Sequence, residues 1–316
     1  MKILTPSKKI IHPRNVFATL DDLKRRREIK DEDVSIRVTI DACVRDGKGK
    51  LVGYEKFPCK SFNANWMKIL RYLMADCLGN VVNSMDGETY IAGIVADNDL
   101  NVTKTSNPTL GPVIGTGTTT HAVTDHNLEK QITNGSVAPV ASALTGTTHA
   151  SFSNQYRIYD NGGNPLSNDE YNQYFIELTS GALSGKERII EDTVDGSPDY
   201  FNLYSTGDGY GGFANDTDVD GVAYKIKSYG MMVHGTVGFT APEDDGDLVS
   251  TITLTRTFAN GCGETIDVTE FGLKVCASYY GSYSIRPLVI RDVKETPVSI
   301  ANGQELTLTY TFACEA

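Results

Sequence analysis

Three aspartates at alternate positions before a glycine, Asp216-Thr217-Asp218-Val219-Asp220-Gly221, give the oxygen-rich spacing with which a calcium loop opens. The twelfth position counted from Asp216 is Lys227, where such a loop needs a bidentate Glu, and the flanks read as strands; the competing reading is an exposed hairpin tip. A second acidic group, Glu264, Asp267 and Glu270, has the residue types of a glycosidase pair, but it lies beside a turn with no aromatic sugar platform in the local sequence. The five histidines, His12, His121, His126, His149 and His234, form no HxxxH or HExxH pair, and no GxSxG marks a nucleophile. The run Gly115-Thr116-Gly117 lacks the continuation of a nucleotide fingerprint. Six cysteines (Cys43, Cys59, Cys77, Cys262, Cys276 and Cys314) without a CxxC pair predict free thiols; Cys43 with Cys59 and Cys262 with Cys276 are the pairs that could meet across adjacent strands. These residues predict a non-enzymatic chain with no cofactor, calcium at Asp216, Asp218 and Asp220 being the one candidate ion.

Charge points towards protein partners. The net charge is −11, yet residues 1–30 hold nine Lys/Arg against three Asp/Glu, so a basic arm of +6 precedes a body of −17. Lys8, Lys9, Arg25, Arg26 and Arg27 are the candidate docking residues for an acidic neighbour, against the plainer reading of a solvated helix face. No aromatic residues interleave with them as a nucleic-acid platform would require, which argues against specific nucleic-acid binding. No stretch reaches the eighteen or so apolar residues of a membrane span, and the start lacks the apolar run of a signal peptide, so the expectation is a soluble chain made in the cytoplasm.

The elements that must carry these residues read as mainly β. In the last strand Leu306, Leu308, Tyr310 and Phe312 alternate with Thr307, Thr309 and Thr311, the period-two pattern of a sheet wet on one face, and Asn302-Gly303 suits a two-residue hairpin. Val34–Val44 and Leu51–Phe57 flank Asp46-Gly47-Lys48-Gly49 as a hairpin, whereas Phe62, Trp66, Ile69, Leu70, Leu73, Met74 and Cys77 repeat at helical spacing over 61–78. Thr19 can cap a short helix in the arm. The Thr/Gly-rich stretch 102–148 reads as a long loop draped over the surface or over another subunit. Short β runs at Tyr156–Tyr159, Tyr174–Leu178, Lys186–Ile190, Phe201–Tyr204 and Tyr224–Ile226 form a compact unit. The predicted organisation is an arm and short helix (1–30), the first part of a jelly-roll-like antiparallel β-sandwich with one amphipathic helix (31–150), an inserted small β domain (151–228) and strands completing the sandwich (229–316).

The succession Gly115-Thr116-Gly117-Thr118-Thr119-Thr120, Val123-Thr124-Asp125-His126-Asn127-Leu128, Gln131-Ile132, Arg256-Thr257-Phe258-Ala259-Asn260, Val268-Thr269-Glu270-Phe271-Gly272-Leu273, Leu288-Val289-Ile290-Arg291-Asp292-Val293 and Thr307–Phe312 resembles the virion structural proteins of tailed bacteriophages, those labelled tail fibre, collar or head decoration. The run Tyr174–Ile190 is similar to a small β module of other phage structural proteins. The resemblance covers about two thirds of the chain and implies assembly: a homo-oligomer in the virion, at the neck, collar or tail or as capsid decoration, contacting copies of itself and other virion proteins. The alternative is a carbohydrate- or receptor-binding module for a host surface glycan, with Tyr200, Tyr204, Tyr210 and Phe213 as exposed aromatics near the Gly-rich loop. A hydrolase acting on surface polysaccharide is the third reading.

Overall fold

The computed structural model describes residues 35–64, 66, 79–82, 89–92, 110–125, 127–150, 156–162, 165–203, 213, 216–240, 243–244, 249–275, 277–279, 283–285 and 287–315. The first half of the chain supplies β1 (Ser35–Arg45), β2 (Leu51–Pro58), β3 (Gly79–Val82), β4 (Thr89–Ala92), β5 (Gly111–Gly115), β6 (Thr133–Asn134), β7 (Val140–Thr147) and β8 (Arg157–Tyr159). There follow β9 (Phe175–Leu178), β10 (Glu187–Val194), β11 (Tyr200–Leu203), a 3-10 turn (Asp216–Val219), β12 (Ala223–Ser228), β13 (Met231–His234), β14 (Gly238–Phe239) and β15 (Glu243–Asp244). The chain closes with β16 (Val249–Ala259), β17 (Ile266–Lys274), β18 (Ala277–Tyr279), β19 (Tyr283–Ile285), β20 (Leu288–Ile300) and β21 (Glu305–Glu315). The class is mainly β, with several antiparallel sheets.

An eight-stranded sheet runs β2-β1-β21-β16-β13-β6, with β14 and β15 also paired to β16. It faces the three-stranded sheet β20-β17-β5 across one apolar core, a sandwich-like arrangement. The period-two strands explain the packing: Ile40, Leu306, Leu308 and Tyr310 point inward and are buried, and Ile266, Val268, Phe271 and Ile300 meet them from the opposite sheet. The threonines point outward, and Thr255 and Thr309 pair their hydroxyls at 3.0 Å on the wet face. Trp66 stacks on Phe62 (centroids 5.4 Å apart) and approaches Phe312, so its indole packs on this core. Most of the predicted helix 61–78, like the short helix of the arm, lies outside the described residues.

The hairpin β1–β2 forms where the sequence placed it, turning on Asp46, whose carboxylate accepts the amides of Lys48 and Lys50. Asn302-Gly303, read as a two-residue hairpin, does something else. β20 belongs to the three-stranded sheet and β21 to the eight-stranded one, so this turn carries the chain across the sandwich. Only Gly303 takes a positive φ, +81°, whereas the hairpin turn inferred from Asn-Gly needs positive φ at both residues. The link from β16 to β17 crosses at the same end, and Asn260 ties the two crossings by donating to the carbonyls of Glu264 (2.8 Å) and Ile300 (2.7 Å).

A separate core lies in the six-stranded sheet β7-β12-β9-β10-β11-β8, built on Ile176, Ile190, Phe201 and Tyr224. Its strands coincide with the five short β runs read from the sequence, and it gains a sixth, β7, from the stretch assigned to the loop 102–148. That strand pairs along β12 from Thr147↔Ala223 to Val140↔Ser228, so the sheet begins about ten residues before residue 151. The loop reading of 102–148 is corrected further by β5 and β6, which join the two sheets of the sandwich.

A candidate functional site beneath the Thr/Gly-rich segment

The densest cluster of buried polar groups joins segments far apart in the sequence. Glu270 on β17 is fully buried, and Arg291 on the adjacent β20 is 3% exposed. Arg291 donates to Glu270 Oε1 from Nε at 2.9 Å and approaches it from Nη2 at 2.7 Å. Three backbone amides complete the carboxylate: Gly117 (2.9 Å) and Lys130 (3.0 Å) donate to Oε2, and Glu129 (2.8 Å) to Oε1. The guanidinium also donates to Asp125 Oδ2 at 2.7 Å and to the Thr119 carbonyl at 3.1 Å. One buried ion pair therefore holds both ends of the segment 117–130 against the sandwich.

Each residue type here has a physical reason. A carboxylate sealed from water needs its lone pairs filled, and Glu270 fills them with a guanidinium fork and three amides. Glycine is required at 117 because a Cβ there would collide with the side chains of Glu270 and Glu129. Thr269 fixes the same turn by donating its hydroxyl to the Gly117 carbonyl at 2.7 Å. Glu129 accepts the amides of Thr118 (2.9 Å) and Thr119 (2.8 Å); burial pushes its carboxyl upward, but these bonds and the hydroxyl of Thr119 outweigh it and hold the group below the usual range. For Arg291, too, burial opposes the charge, and the bonds to Asp125 and Glu270 win, raising the guanidinium above its ordinary value.

Three more buried polar side chains extend the clamp. Lys274 donates to Gln131 Oε1 at 2.6 Å and Asn127 Oδ1 at 3.1 Å. Asn63 donates to the carbonyls of Leu288 (2.5 Å) and Asp125 (3.0 Å). Arg256 reaches the carbonyls of Leu110 (2.6 Å), Pro112 (3.2 Å) and Gly235 (3.0 Å), and burial lowers its pKa to about 10. Lys274 and Asn63 were not singled out by sequence reasoning. A charged residue ending the apolar run Phe271-Gly272-Leu273 was the available signal for Lys274.

The acidic trio read as a glycosidase pair is not assembled. Glu270 is sealed in the clamp, Asp267 sits exposed and accepts the Ser299 hydroxyl, and Glu264 is exposed on a turn. Of the aspartates in the calcium reading, Asp216 and Asp218 lie on the 3-10 turn and Asp220 follows it. This turn is not the exposed tip expected from sequence: Val219 is buried in the core of the six-stranded sheet, and Thr148 clasps it by donating to the Val219 carbonyl (2.5 Å) and accepting the Val222 amide (2.9 Å). Asp218 and Asp220 are half-buried, and Oδ1 of Asp220 has no hydrogen-bond partner among the described residues. Among the described residues no three His, Cys, Asp or Glu side chains gather as a metal site.

Lys8, Lys9, Arg25, Arg26 and Arg27 lie outside the described residues, as do Tyr204 and Tyr210. Phe213, read as an exposed aromatic, is instead buried in the core of the six-stranded sheet with Arg188 over its ring. Tyr200 is half-buried beside Tyr159, ring centroids 5.0 Å apart, with Arg157 above it. Cys43, Cys59 and Cys262 are free thiols. The register sets Cys43 opposite Tyr54 and places Cys59 just beyond the pair Thr39↔Pro58, so the proposed Cys43–Cys59 pairing across strands does not form.

No family model, curated protein or solved structure matches the chain. What the site can do is therefore read from its geometry. Glu270 and Arg291 spend their hydrogen-bonding capacity on each other and on one surface segment, and the arrangement fixes shape.

The six-stranded sheet carries a second ionic cluster. Glu177 and Glu187 lie directly opposite each other on β9 and β10. Lys227 bridges them, its ammonium bonded to Glu177 and 2.5 Å from Glu187, while Lys225 is 3.2 Å from Glu177. Tyr229 donates to Glu187 at 3.0 Å, and burial pushes its phenol up to about 12. A groove of about 720 Å³ opens beside this cluster, between Val140 and Tyr229 on one side and Ile266 and Pro297 of the sandwich on the other.

Proposed function

We propose that the chain is a non-enzymatic structural component of a tailed-phage virion, made in the host cytoplasm and assembled there with copies of itself and other virion proteins, at the neck, collar or tail or as capsid decoration. One observation carries this reading. The segments that bear the resemblance to phage virion proteins, 115–132, 256–260, 268–273 and 288–293, are scattered in sequence but meet at the clamp of Glu270, Arg291 and Arg256. Their shared residues hold a surface in place, as an assembling protein requires. The jelly-roll-like course of the main domain and the amphipathic helix 61–78 belong to the same reading.

The test is co-sedimentation of purified chain with phage particles, with native mass spectrometry of the chain alone. The reading expects oligomers and particle association; a chain that stays monomeric and never sediments with particles would contradict it. The pair Tyr159 and Tyr200, with rings tilted by 43° and Arg157 over Tyr200, favours a second reading, a carbohydrate- or receptor-binding module for host attachment, because adjacent tyrosines beside a cation suit a sugar ring. A glycan array without binding would remove it.

A further inference from the structure

We infer that Lys294 and Glu55 join covalently, the side-chain amine and carboxyl condensing into an amide that ties the two sheets of the sandwich together. The inference is independent of the assembly reading, since the bond forms within one chain.

Topology sets the pair facing each other. Glu55 lies on β2, whose one paired neighbour among the described residues is β1, and Lys294 lies on β20 of the three-stranded sheet. Register places Glu55 opposite Ala42 and Phe57 opposite Ile40, both buried, so Glu55 and Phe57 share the face of β2 that looks into the sandwich. Lys294 reaches that face from the other sheet. Its Nζ meets Oε2 of Glu55 and lies 4.8 Å from the ring centroid of Phe57. Phe57 in turn packs edge-on against Phe271 of β17, with 5.3 Å between centroids, and fixes the floor beneath the amine. An edge strand with a single neighbour is held weakly, and a bond from Glu55 to β20 would secure it.

Amide formation needs an uncharged amine, a carboxyl held against it and a group to move the proton. Burial holds the Lys294 amine below the ordinary lysine value, which favours its nucleophilic form. Contact within one folded chain supplies the second requirement, worth an effective concentration of about 10⁵ M or more when the geometry is right. Asp292 meets the third. It precedes Lys294 by two residues on β20 and is paired with Phe271, so its carboxyl and the Lys294 amine border the same aromatic pair. Asp292 is 7% exposed; its Oδ1 accepts the Lys60 amide at 3.1 Å, and its Oδ2 has no hydrogen-bond partner among the described residues. A buried carboxylate oxygen without a partner is costly to keep and suits a proton carrier.

The step balances with no other reactant. Asp292 Oδ2 takes one proton from the Lys294 ammonium, Nζ bonds to Cδ of Glu55, and the Cδ–Oε2 bond breaks. Oε2 leaves as water, carrying the proton returned by Asp292 and a second from Nζ. The side chains of Lys294 and Glu55 are 20% and 40% exposed, which leaves that water a way out.

Intact-mass spectrometry of the denatured full-length chain tests the bond. Wild type should be lighter than its sequence by one water, about 18 Da, and tandem spectra should show the peptide of Glu55 joined to that of Lys294. Lys294→Arg and Glu55→Ala should each restore the full mass, with circular dichroism reporting whether the strands are kept. Asp292→Asn should still cross-link, but about a hundredfold more slowly when mass is followed after refolding. A folded wild-type chain at its full sequence mass overturns the inference, as does a lost water located at other residues. Because wild type alone decides whether the bond exists, a variant that misfolds does not shield the inference. If Asp292→Asn cross-links at the wild-type rate, the role given to Asp292 is overturned.

Discussion

Two ionic clusters sit in the two sheet systems of this protein and do different work. In the sandwich, Glu270 and Arg291 are sealed from water and spend most of their bonds on the backbone of a segment remote in sequence. In the six-stranded sheet, Lys227 lies half-buried between two carboxylates that the register sets opposite each other, and its partners are side chains on neighbouring strands. The first cluster decides where a loop lies. The second relieves a like-charge pair that would otherwise destabilise its sheet. Depth of burial and the kind of partner, backbone or side chain, separate a group that builds shape from one that only tolerates its neighbours.

The largest effect should come from breaking the clamp. Arg291→Met leaves Glu270 charged in the core and should cost about 3–5 kcal/mol in urea unfolding. Next, Gly117→Ala keeps every charge but forces a methyl into Glu270 and Glu129, for a loss on the order of 1–3 kcal/mol and greater protease sensitivity across 115–131. Lys227→Met should be milder, about 1 kcal/mol, because solvent still reaches the partly buried carboxylates it leaves facing each other, whereas Glu270 is sealed. If it matched Arg291→Met, the distinction between the two clusters would fail.

Acid sharpens the comparison. Burial pushes the Glu177 carboxyl up, but the hydrogen bond and charge of Lys227, helped by Lys225, bring it below the ordinary value of 4.5. A carboxyl depressed in the folded state adds stability that is complete above its unfolded pKa and is lost as pH falls through the lower folded value. Stability measured between pH 6 and pH 3 should therefore fall at the acid end, and Lys227→Met should flatten that fall. The smallest effect is expected on the wet face, where Thr309→Val removes one hydroxyl pair with Thr255 and should shift stability by about 0.5 kcal/mol or less.

Local pattern made parts of this fold legible. Alternation in Val38–Val44 and Leu306–Tyr310 marked inward and outward faces, although Ile36, in the same phase, is exposed, and short aromatic and β-branched runs marked five strands of the six-stranded sheet. Whatever depends on partners distant in sequence was not legible. The segment 110–148 looks like a loop because its threonines and glycines have no core of their own; Glu270, Arg291, Lys274 and Arg256 supply the anchoring from as far as 172 residues away. Asn302-Gly303 looks like a hairpin because nothing local tells a turn within a sheet from a turn between sheets. Phe213 looks exposed among glycines, yet it packs into the core of the six-stranded sheet under Arg188.

The most direct measurement is a cryo-EM reconstruction, at side-chain resolution, of phage particles tested for this chain, with the chain located by Trp66 and the six-stranded sheet. The account predicts copies arranged in a ring at the neck, collar or tail, or over the capsid lattice, with the segment 115–131 held on the sandwich by Glu270 and Arg291. Purified particles that contain neither density nor peptides of the chain would contradict it.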